Sequence, residues 1–151
     1  MPQVEKRILV NSDPTVLYQL AKNMEGYPSF MPDVESVQVI SKAENSTITE
    51  WVTNVDGTPF LWTERDQFDD TNLCIDYALI EGDLEKFEGR WTFVREGDQT
   101  EVCLTVDYDF GLPELTRLIG PTLHQKVGDN SEMMLTSMKN LAEASNEHSS
   151  K

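Results

Sequence analysis

Hydrophobic and polar residues alternate along this chain with two different periods. The segment from Val4 to Val10 has a period of two, which predicts a strand. A stripe of apolar residues at helical spacing follows, made up of Val16, Leu17, Leu20, Ala21 and Met24. Asp13 and Pro14 precede the stripe as an N-cap and a first helical residue, and Gly26 ends it. The chain therefore begins with a strand and a helix of about three turns.

An aromatic and proline-rich segment from Tyr27 to Pro32 separates this helix from the next regular pattern. Its two prolines, Pro28 and Pro32, limit it to one short helical turn. Because an apolar segment of this kind extends neither as a helix nor as a strand, we expect it to act as a lid or plug.

The period then stays at two for about 80 residues, which predicts six further strands. The predicted strands are Val34 to Ser41, Thr47 to Val55, Thr58 to Phe68, Leu73 to Leu79, Phe87 to Phe93 and Val102 to Phe110. The dipeptide Asp56-Gly57 marks a tight hairpin between two of them. All the connections are too short for crossover helices, so the sheet is expected to be antiparallel.

A second helical pattern runs from about Pro121 to Ala144. Its predicted inward face is Val127, Ser131, Met134, Leu135, Met138, Leu141 and Ala142. Its predicted outward face is Lys126, Asp129, Glu132, Lys139 and Glu143. A single helix about 10 Å wide does not fill the concave face of a sheet seven strands wide. We therefore expect a hollow between the sheet and this helix.

Composition limits the classes of partner. The chain has 151 residues, 27 acidic against 12 basic, and a formal net charge of −15. A field of this sign repels phosphate backbones and anionic lipids, so nucleic acid is not expected as a partner. No apolar run is long enough for a transmembrane segment. We expect one domain over residues 1–145, a disordered tail over 146–151, and a monomer or weak dimer.

The N-terminus lacks a basic segment followed by an apolar run, so no secretory signal is expected and the predicted location is cytoplasmic. Cys74 and Cys103 lie in separate strand-like segments and match no disulfide or metal-ligand spacing. We read them as small buried hydrophobic residues, and neither a cofactor nor a metal is predicted.

Four segments, in this order, carry a resemblance to a known family. They are Val10 to Pro14, Glu25 to Pro32, Glu81 through Phe93, and Thr100 to Phe110. On these segments the chain resembles the START-like, or SRPBCC, helix-grip superfamily, in its polyketide cyclase/dehydrase and coenzyme Q-binding branch. The resemblance covers Val4 to Ala144. It implies an α+β helix-grip fold, with a seven-stranded antiparallel curved sheet around a long C-terminal helix and two short helices between strands 1 and 2.

The resemblance also implies a cavity for a hydrophobic small molecule. Some members are carriers of quinones or lipids, and others are aromatase/cyclases that fold a poly-β-ketone chain and promote aldol condensation and dehydration. In the latter, Trp62 matches an inward aromatic residue, but the position of the catalytic arginine falls on Asp66. Arg65 lies one residue away and therefore on the opposite face.

Glu64 is the sharpest candidate for chemistry, because a carboxyl group in an apolar cavity has a raised pKa and can act as a base. The alternative is that Glu64 pairs with an arginine or faces water, and Asp66 is expected to be solvated. The predicted ligand-binding residues are Tyr27, Phe30, Phe60, Trp62, Glu64, Ile75, Tyr77, Leu79, Phe87, Trp91, Leu104, Val106, Tyr108, Met134 and Met138.

Several of these residues have an ordinary structural alternative. A buried tyrosine usually donates its hydroxyl to a backbone carbonyl. Trp62 and Trp91 suit plain core packing equally well, and methionines such as Met133, Met134 and Met138 are more often core residues than ligand contacts. Trp51 shares a face with Thr49 and Thr53 and is not assigned to the cavity, and His124 is read as a solvated residue at the helix start. Arg90 is expected to pair with nearby acids on the outer surface.

The leading functional hypothesis is a carrier that binds a lipid, quinone or polyketide-like molecule in the cavity. The alternative is a polyketide cyclase/dehydratase that uses Glu64 as a base and a tyrosine hydroxyl as a donor. A protein-binding role, as in relatives that engage ribosomes, ranks last because the net charge of −15 disfavours contact with RNA.

Overall fold

The elements predicted from hydrophobic periodicity are present in the computed structural model of this protein, which describes residues 3–55, 57–109 and 113–149. The strands are β1 (Gln3–Val10), β2 (Val34–Lys42), β3 (Ser46–Val55), β4 (Thr58–Asp69), β5 (Cys74–Gly82), β6 (Lys86–Glu96) and β7 (Gln99–Asp109). The helices are α1 (Pro14–Lys22), a short 3-10 helix (Met24–Ser29) and α2 (Pro113–Ser149).

One antiparallel sheet contains all seven of these strands, in the order β1-β7-β6-β5-β4-β3-β2. From β2 to β7, each strand pairs with the strand that follows it in the chain, because the short connections form hairpins. β1 then pairs with β7, from Gln3 opposite Asp107 to Val10 opposite Thr100. α2 packs against β1 and β7, and buries its predicted inward residues Ser131, Leu135 and Met138. The predicted helix-grip fold is confirmed.

The helical segments differ from prediction at their ends. α2 begins at Pro113, and Pro121 lies inside it instead of starting it. α1 ends at Lys22 and not at the predicted Gly26, which lies within the 3-10 helix that starts at Met24. Phe110, the predicted end of the last strand, lies outside the described residues. Among the described residues, no helix has an apolar stretch long enough to cross a bilayer.

The buried face of α1 is also rotated from the prediction. Val16 is 49% exposed, whereas Tyr18 is fully buried and packs edge-on against Phe93 with ring centroids 5.9 Å apart. The Tyr18 hydroxyl remains satisfied because it donates to Asp70 at 2.6 Å. Asp13 occupies the N-cap position without a side-chain capping bond, and its carboxylate pairs instead with Arg95.

The cysteines and the predicted surface arginine lie where the pattern placed them. Cys103 is buried and Cys74 is half-buried, and both are free thiols on strands of the sheet. Arg90 forms an ion pair with Asp76 across β5 and β6, which confirms its assignment to the outer surface.

Gly89 allows the Tyr77 side chain to lie across β6. Tyr77 stands opposite Gly89 in the register, and its hydroxyl donates to the backbone carbonyl of Thr105 on β7 at 2.7 Å. A Cβ atom at position 89 would overlap that carbonyl oxygen and lie 2.6 Å from the Tyr77 hydroxyl. Position 89 therefore requires glycine, because any side chain there would prevent the contact between Tyr77 on β5 and Thr105 on β7.

We expect Gly89→Ala to lower the free energy of unfolding by about 2 kcal/mol, because overpacking at this site displaces Tyr77 and the backbone of β7. Urea denaturation followed by far-UV circular dichroism measures this change. Gly128→Ala is the matched control: a Cβ atom there meets only the flexible end of Lys6 at 3.4 Å. Alanine favours a helix, so this control should be as stable as the parent protein or more so. Equal stability of both variants would contradict the explanation.

Candidate functional site

A cavity lies between the inner face of the sheet and α2, as the width of the sheet predicted. The volume of the cavity is about 90 Å³. The empty space amounts to about 860 Å³ when the open mouth of the cavity is included. Its lining is formed by Met24, Trp51, Thr53, Phe60, Trp62, Glu64, Tyr77, Leu84, Phe87, Trp91, Leu104, Val106, Lys126, Val127, Asn130, Ser131 and Met134. Most of these side chains are apolar or aromatic, which suits a largely apolar ligand.

Three aromatic side chains, Trp51, Trp62 and Phe87, form a cluster on the cavity lining. Trp51 on β3 stands directly opposite Trp62 on β4, and their rings stack with centroids 5.4 Å apart and planes 8° from parallel. The Phe87 ring is tilted by 50° from that of Trp62, with centroids 5.2 Å apart, and its centroid is 5.8 Å from that of Tyr77. This aromatic cluster supplies large apolar contact area to a ligand.

The short segment between α1 and β2 closes one end of the space between the sheet and α2. The Tyr27 ring packs against Trp51 and Trp91 at centroid distances of 5.6 and 6.4 Å. Met31 is also fully buried, and Met24 reaches the cavity lining. The segment therefore acts as the expected plug: it fills this end and leaves the remaining hollow as the cavity.

Two carboxyl groups lie side by side on the inner face of β4. Glu64 is 3% exposed and Asp66 is fully buried. Glu64 accepts a hydrogen bond from the Trp62 indole nitrogen at 2.8 Å, and Asp66 accepts one from the Thr49 hydroxyl at 2.6 Å. The Trp51 indole in turn donates to the Thr49 hydroxyl at 2.8 Å. Both stacked tryptophans are thus anchored to the carboxyl pair through their N–H groups.

These surroundings change the acidity of both groups. Burial raises the pKa of Glu64, and the adjacent Asp66 carboxyl raises it further as a hydrogen-bond partner and a like charge. Burial also raises the pKa of Asp66, although hydrogen bonds from Glu64, Thr49 and Thr47 act against this shift. Two adjacent carboxylates cannot both ionise easily in an apolar interior. Glu64 therefore holds the proton of the pair and donates it to Asp66.

Nine of the fifteen predicted ligand-binding residues lie on the cavity lining. They are Phe60, Trp62, Glu64, Tyr77, Phe87, Trp91, Leu104, Val106 and Met134. The other six lie outside it: Tyr27, Ile75, Tyr108 and Met138 are buried in the core, and Phe30 and Leu79 are half-buried. Leu79 keeps the predicted alternation and stands opposite Glu64, and the β4–β5 register shifts only beyond it, so Leu79 faces inward without reaching the lining.

Three placements inferred from the sequence are corrected. Asp66 is buried, not solvated, because Thr47 and Thr49 on β3 provide it with hydrogen-bond donors. Lys126 lies on the cavity lining and not on the outward face of α2. His124 lies inside α2, not at its start, and its Nδ1 atom is 3.1 Å from the Tyr108 hydroxyl.

Although Val127 and Ser131 were predicted to face inward from α2, the remaining lining residues were not predicted to bind a ligand. Beyond Lys126 they are Met24, Trp51, Thr53, Leu84, Val127, Asn130 and Ser131. A signal for Trp51 was available in the sequence. The Asp56-Gly57 turn signal implies that Val55 pairs with Thr58, and the observed pairing of these two residues places Trp51 opposite Trp62. No comparable signal existed for Asn130, since its position on the lining depends on how α2 lies across the sheet.

The tyrosine hydroxyls are already engaged. Tyr27 donates to the Ala21 carbonyl at 2.6 Å, Tyr77 donates to the Thr105 carbonyl, and the Tyr108 hydroxyl contacts His124. Tyr27 and Tyr77 thus follow the structural alternative of donation to a backbone carbonyl, whereas Tyr108 contacts a side chain instead. Within the described residues, no group of three His, Cys, Asp or Glu side chains is placed to hold a metal ion.

Comparisons with known proteins match this architecture. A family model described as polyketide cyclase/dehydrase and lipid transport matches residues 10–135. The bifunctional cyclase/dehydratase of the actinorhodin polyketide synthase from Streptomyces coelicolor is 29% identical over 84% of this chain, which spans only 40% of that relative's length. The ribosome association toxin RatA from Escherichia coli is 25% identical over 76% of this chain and 74% of its own.

Solved structures show the same fold. TTHA0849 from Thermus thermophilus has a TM-score of 0.90 at 30% identity, over 95% of this chain and 99% of its own. The Zhui aromatase/cyclase from Streptomyces has a TM-score of 0.86 at 20% identity, over 93% of both chains. The second likeness extends to the fold alone.

We expect Glu64→Gln to reduce the pH dependence of stability. The native pKa of Glu64 lies above its ordinary value of 4.5, so above pH 4.5 the unfolded chain releases a proton that the native state retains. The free energy of unfolding of the parent protein therefore falls as pH rises from 4.5 through the native pKa. Glutamine keeps a donor for Asp66 and an acceptor for Trp62 without titrating, so this loss should be smaller in the variant.

Urea denaturation between about pH 5 and about pH 9 measures the slope. Glu50→Gln, an exposed site on β3, is the control and should follow the parent protein. If Glu64→Gln lost stability with pH as steeply as the parent, the assignment of the shared proton would be wrong.

Proposed function

We propose that this chain, which belongs to the polyketide cyclase/dehydrase and lipid transport family, binds a hydrophobic ring-containing small molecule between its sheet and α2. The family match confirms the START-like resemblance drawn from the sequence. The observation that supports binding most directly is the aromatic cluster of Trp51, Trp62 and Phe87 inside a mainly apolar cavity. Affinity would come from burial of apolar surface, at about 25 cal/mol per Å².

Binding is better supported than catalysis by the groups around β4. The position that matches a catalytic arginine in cyclases holds Asp66, which has the opposite charge. The tyrosine hydroxyls proposed as donors are bonded to other groups, as described for Tyr27, Tyr77 and Tyr108. A binding protein needs neither a cation at that position nor an unoccupied hydroxyl.

We expect Val127→Trp to weaken binding of N-phenyl-1-naphthylamine, a neutral fluorescent ring compound, by at least about tenfold. Val127 is half-buried on the cavity lining, so a larger side chain there occupies the space that the probe requires. Fluorescence titration gives the dissociation constants. Val94→Trp, at a 52% exposed position on β6, adds the same ring outside the cavity and should bind like the parent protein. Unchanged binding in Val127→Trp would place the probe elsewhere and contradict the proposal.

A cyclase/dehydratase is the second candidate, and the location of Glu64 favours it. When ionised, this carboxyl would remove a proton from a methylene between two ketones, and the resulting enolate carbon would attack a third carbonyl of the same chain. The proton would return to the resulting alkoxide to give the aldol hydroxyl. Removal of the second methylene proton by the same carboxyl, and its transfer to that hydroxyl, would then expel water and leave a double bond. A base of this kind works best when its pKa is near the operating pH. Burial raises the pKa of Glu64 and therefore shifts it in that direction.

If this second reaction occurs, Glu64→Gln should slow ring closure of a poly-β-ketone thioester by at least about 100-fold, because it removes the only proposed base. Binding of N-phenyl-1-naphthylamine should change by less than about twofold, since glutamine retains the size and hydrogen bonds of Glu64. Product formation is followed by mass spectrometry against the uncatalysed rate. Turnover equal to that of the parent protein would eliminate Glu64 as the base.

A further inference from the structure

Two buried polar atoms on the cavity lining have no hydrogen-bond partner among the described residues. One is the Oγ1 atom of Thr53 on β3, a residue that is 4% exposed. The other is the Nδ2 atom of Asn130 on α2. Buried polar atoms nearly always have a partner, so each unpartnered atom requires an explanation. Both residues border the same cavity, so a ligand in it is placed to supply the missing partner.

The chemistry of these atoms restricts what that partner can be. An amide nitrogen donates hydrogen bonds and accepts none, whereas a threonine hydroxyl both donates and accepts. Asn130 therefore requires an acceptor, and Thr53 is compatible with one. An acceptor oxygen on the ligand satisfies both groups, while a hydrocarbon satisfies neither.

The rest of the lining indicates which kind of oxygen fits. Thr53 lies two residues from Trp51 on the same face of β3, beside the aromatic cluster. A charged ligand group would lose its hydration against such apolar surfaces, whereas a neutral carbonyl loses much less. Glu64 does not compete for this role, because its carboxyl already contacts Trp62 and Asp66.

The geometry points to Thr53 and Asn130 as the specificity-determining pair of this cavity, which donates hydrogen bonds to a carbonyl oxygen on an otherwise apolar ring ligand such as a ketone or quinone. This inference rests on the proposed binding function and specifies which ring compounds are preferred, namely those that carry a carbonyl oxygen. Since Thr53 belongs to the sheet and Asn130 to α2, a bound carbonyl compound also links the two sides of the grip.

The test compares 1-tetralone with tetralin, which share one ring framework and differ by the carbonyl oxygen. Isothermal titration calorimetry gives both dissociation constants for the parent protein, Thr53→Val and Asn130→Ala. In each variant the affinity for 1-tetralone relative to tetralin should fall by about fivefold, the effect of one lost hydrogen bond. The ratio cancels any change in cavity size, since both ligands experience it equally.

Thr63→Val and Asn140→Ala are the matched controls, because they make similar changes on β4 and α2 outside the lining and should keep the parent ratio. Thermal unfolding is a second readout: a hydroxyl without a partner can be removed at no cost, so Thr53→Val should melt no lower than the parent protein. A clearly lower melting temperature would reveal a structural partner for Thr53 and overturn the inference.

The outcomes also separate this inference from the proposed function. If the parent protein binds both compounds and neither variant changes the ratio, the inference is wrong and the cavity remains a binding site. If the parent protein binds neither compound nor N-phenyl-1-naphthylamine, the proposed function itself is wrong, and the inference with it.

Discussion

The main constraint on this structure is the mismatch in width between the sheet and the helix that covers it. Seven strands span six spacings of roughly 4.8 Å, or about 29 Å, whereas a helix with its side chains is about 10 Å wide. α2 cannot cover the inner face alone, and α1 with the 3-10 helix fills only one end of it. The cavity is the remaining space, so it is a consequence of the architecture and not of any single side chain.

That space gives the carboxyl pair its properties. In water Glu64 and Asp66 would be ordinary acids, but on the inner face of β4 both lose their hydration. The pair remains compatible with folding because it keeps a proton and receives hydrogen bonds from Trp62 and Thr49. The same bonds fix the orientation of the stacked tryptophans, so the polar and aromatic parts of the lining support each other.

Family membership and the local chemistry bear on function in different ways. The family model matches most of this chain, and relatives with very different names match it as well. Fold alone does not select a function. The acid at position 66 and the two unpartnered donors of the lining belong to this chain, and they favour recognition of a neutral oxygen-bearing ring over the arginine-dependent chemistry of cyclases.

The sequence by itself determined the elements and the inward face of strands such as β4. Alternation with a period of two is a local property, and it correctly placed Phe60, Trp62 and Glu64 on one face of β4. The Asp56-Gly57 turn signal also implied the strand register that places Trp51 opposite Trp62. To use this signal, however, two strands must be paired, whereas alternation needs only one.

Only the tertiary structure decided where the ends of the elements lie and which inward residues line the hollow. Ile75 and Trp91 both face inward from neighbouring strands, yet Ile75 is enclosed in the core and Trp91 borders the cavity. Burial of Asp66 depends on hydroxyls from a neighbouring strand, and exposure of Asn130 to the cavity depends on the position of α2. Periodicity specifies a direction relative to one element, whereas a cavity is defined by distances between several, and those distances are fixed only when the chain packs.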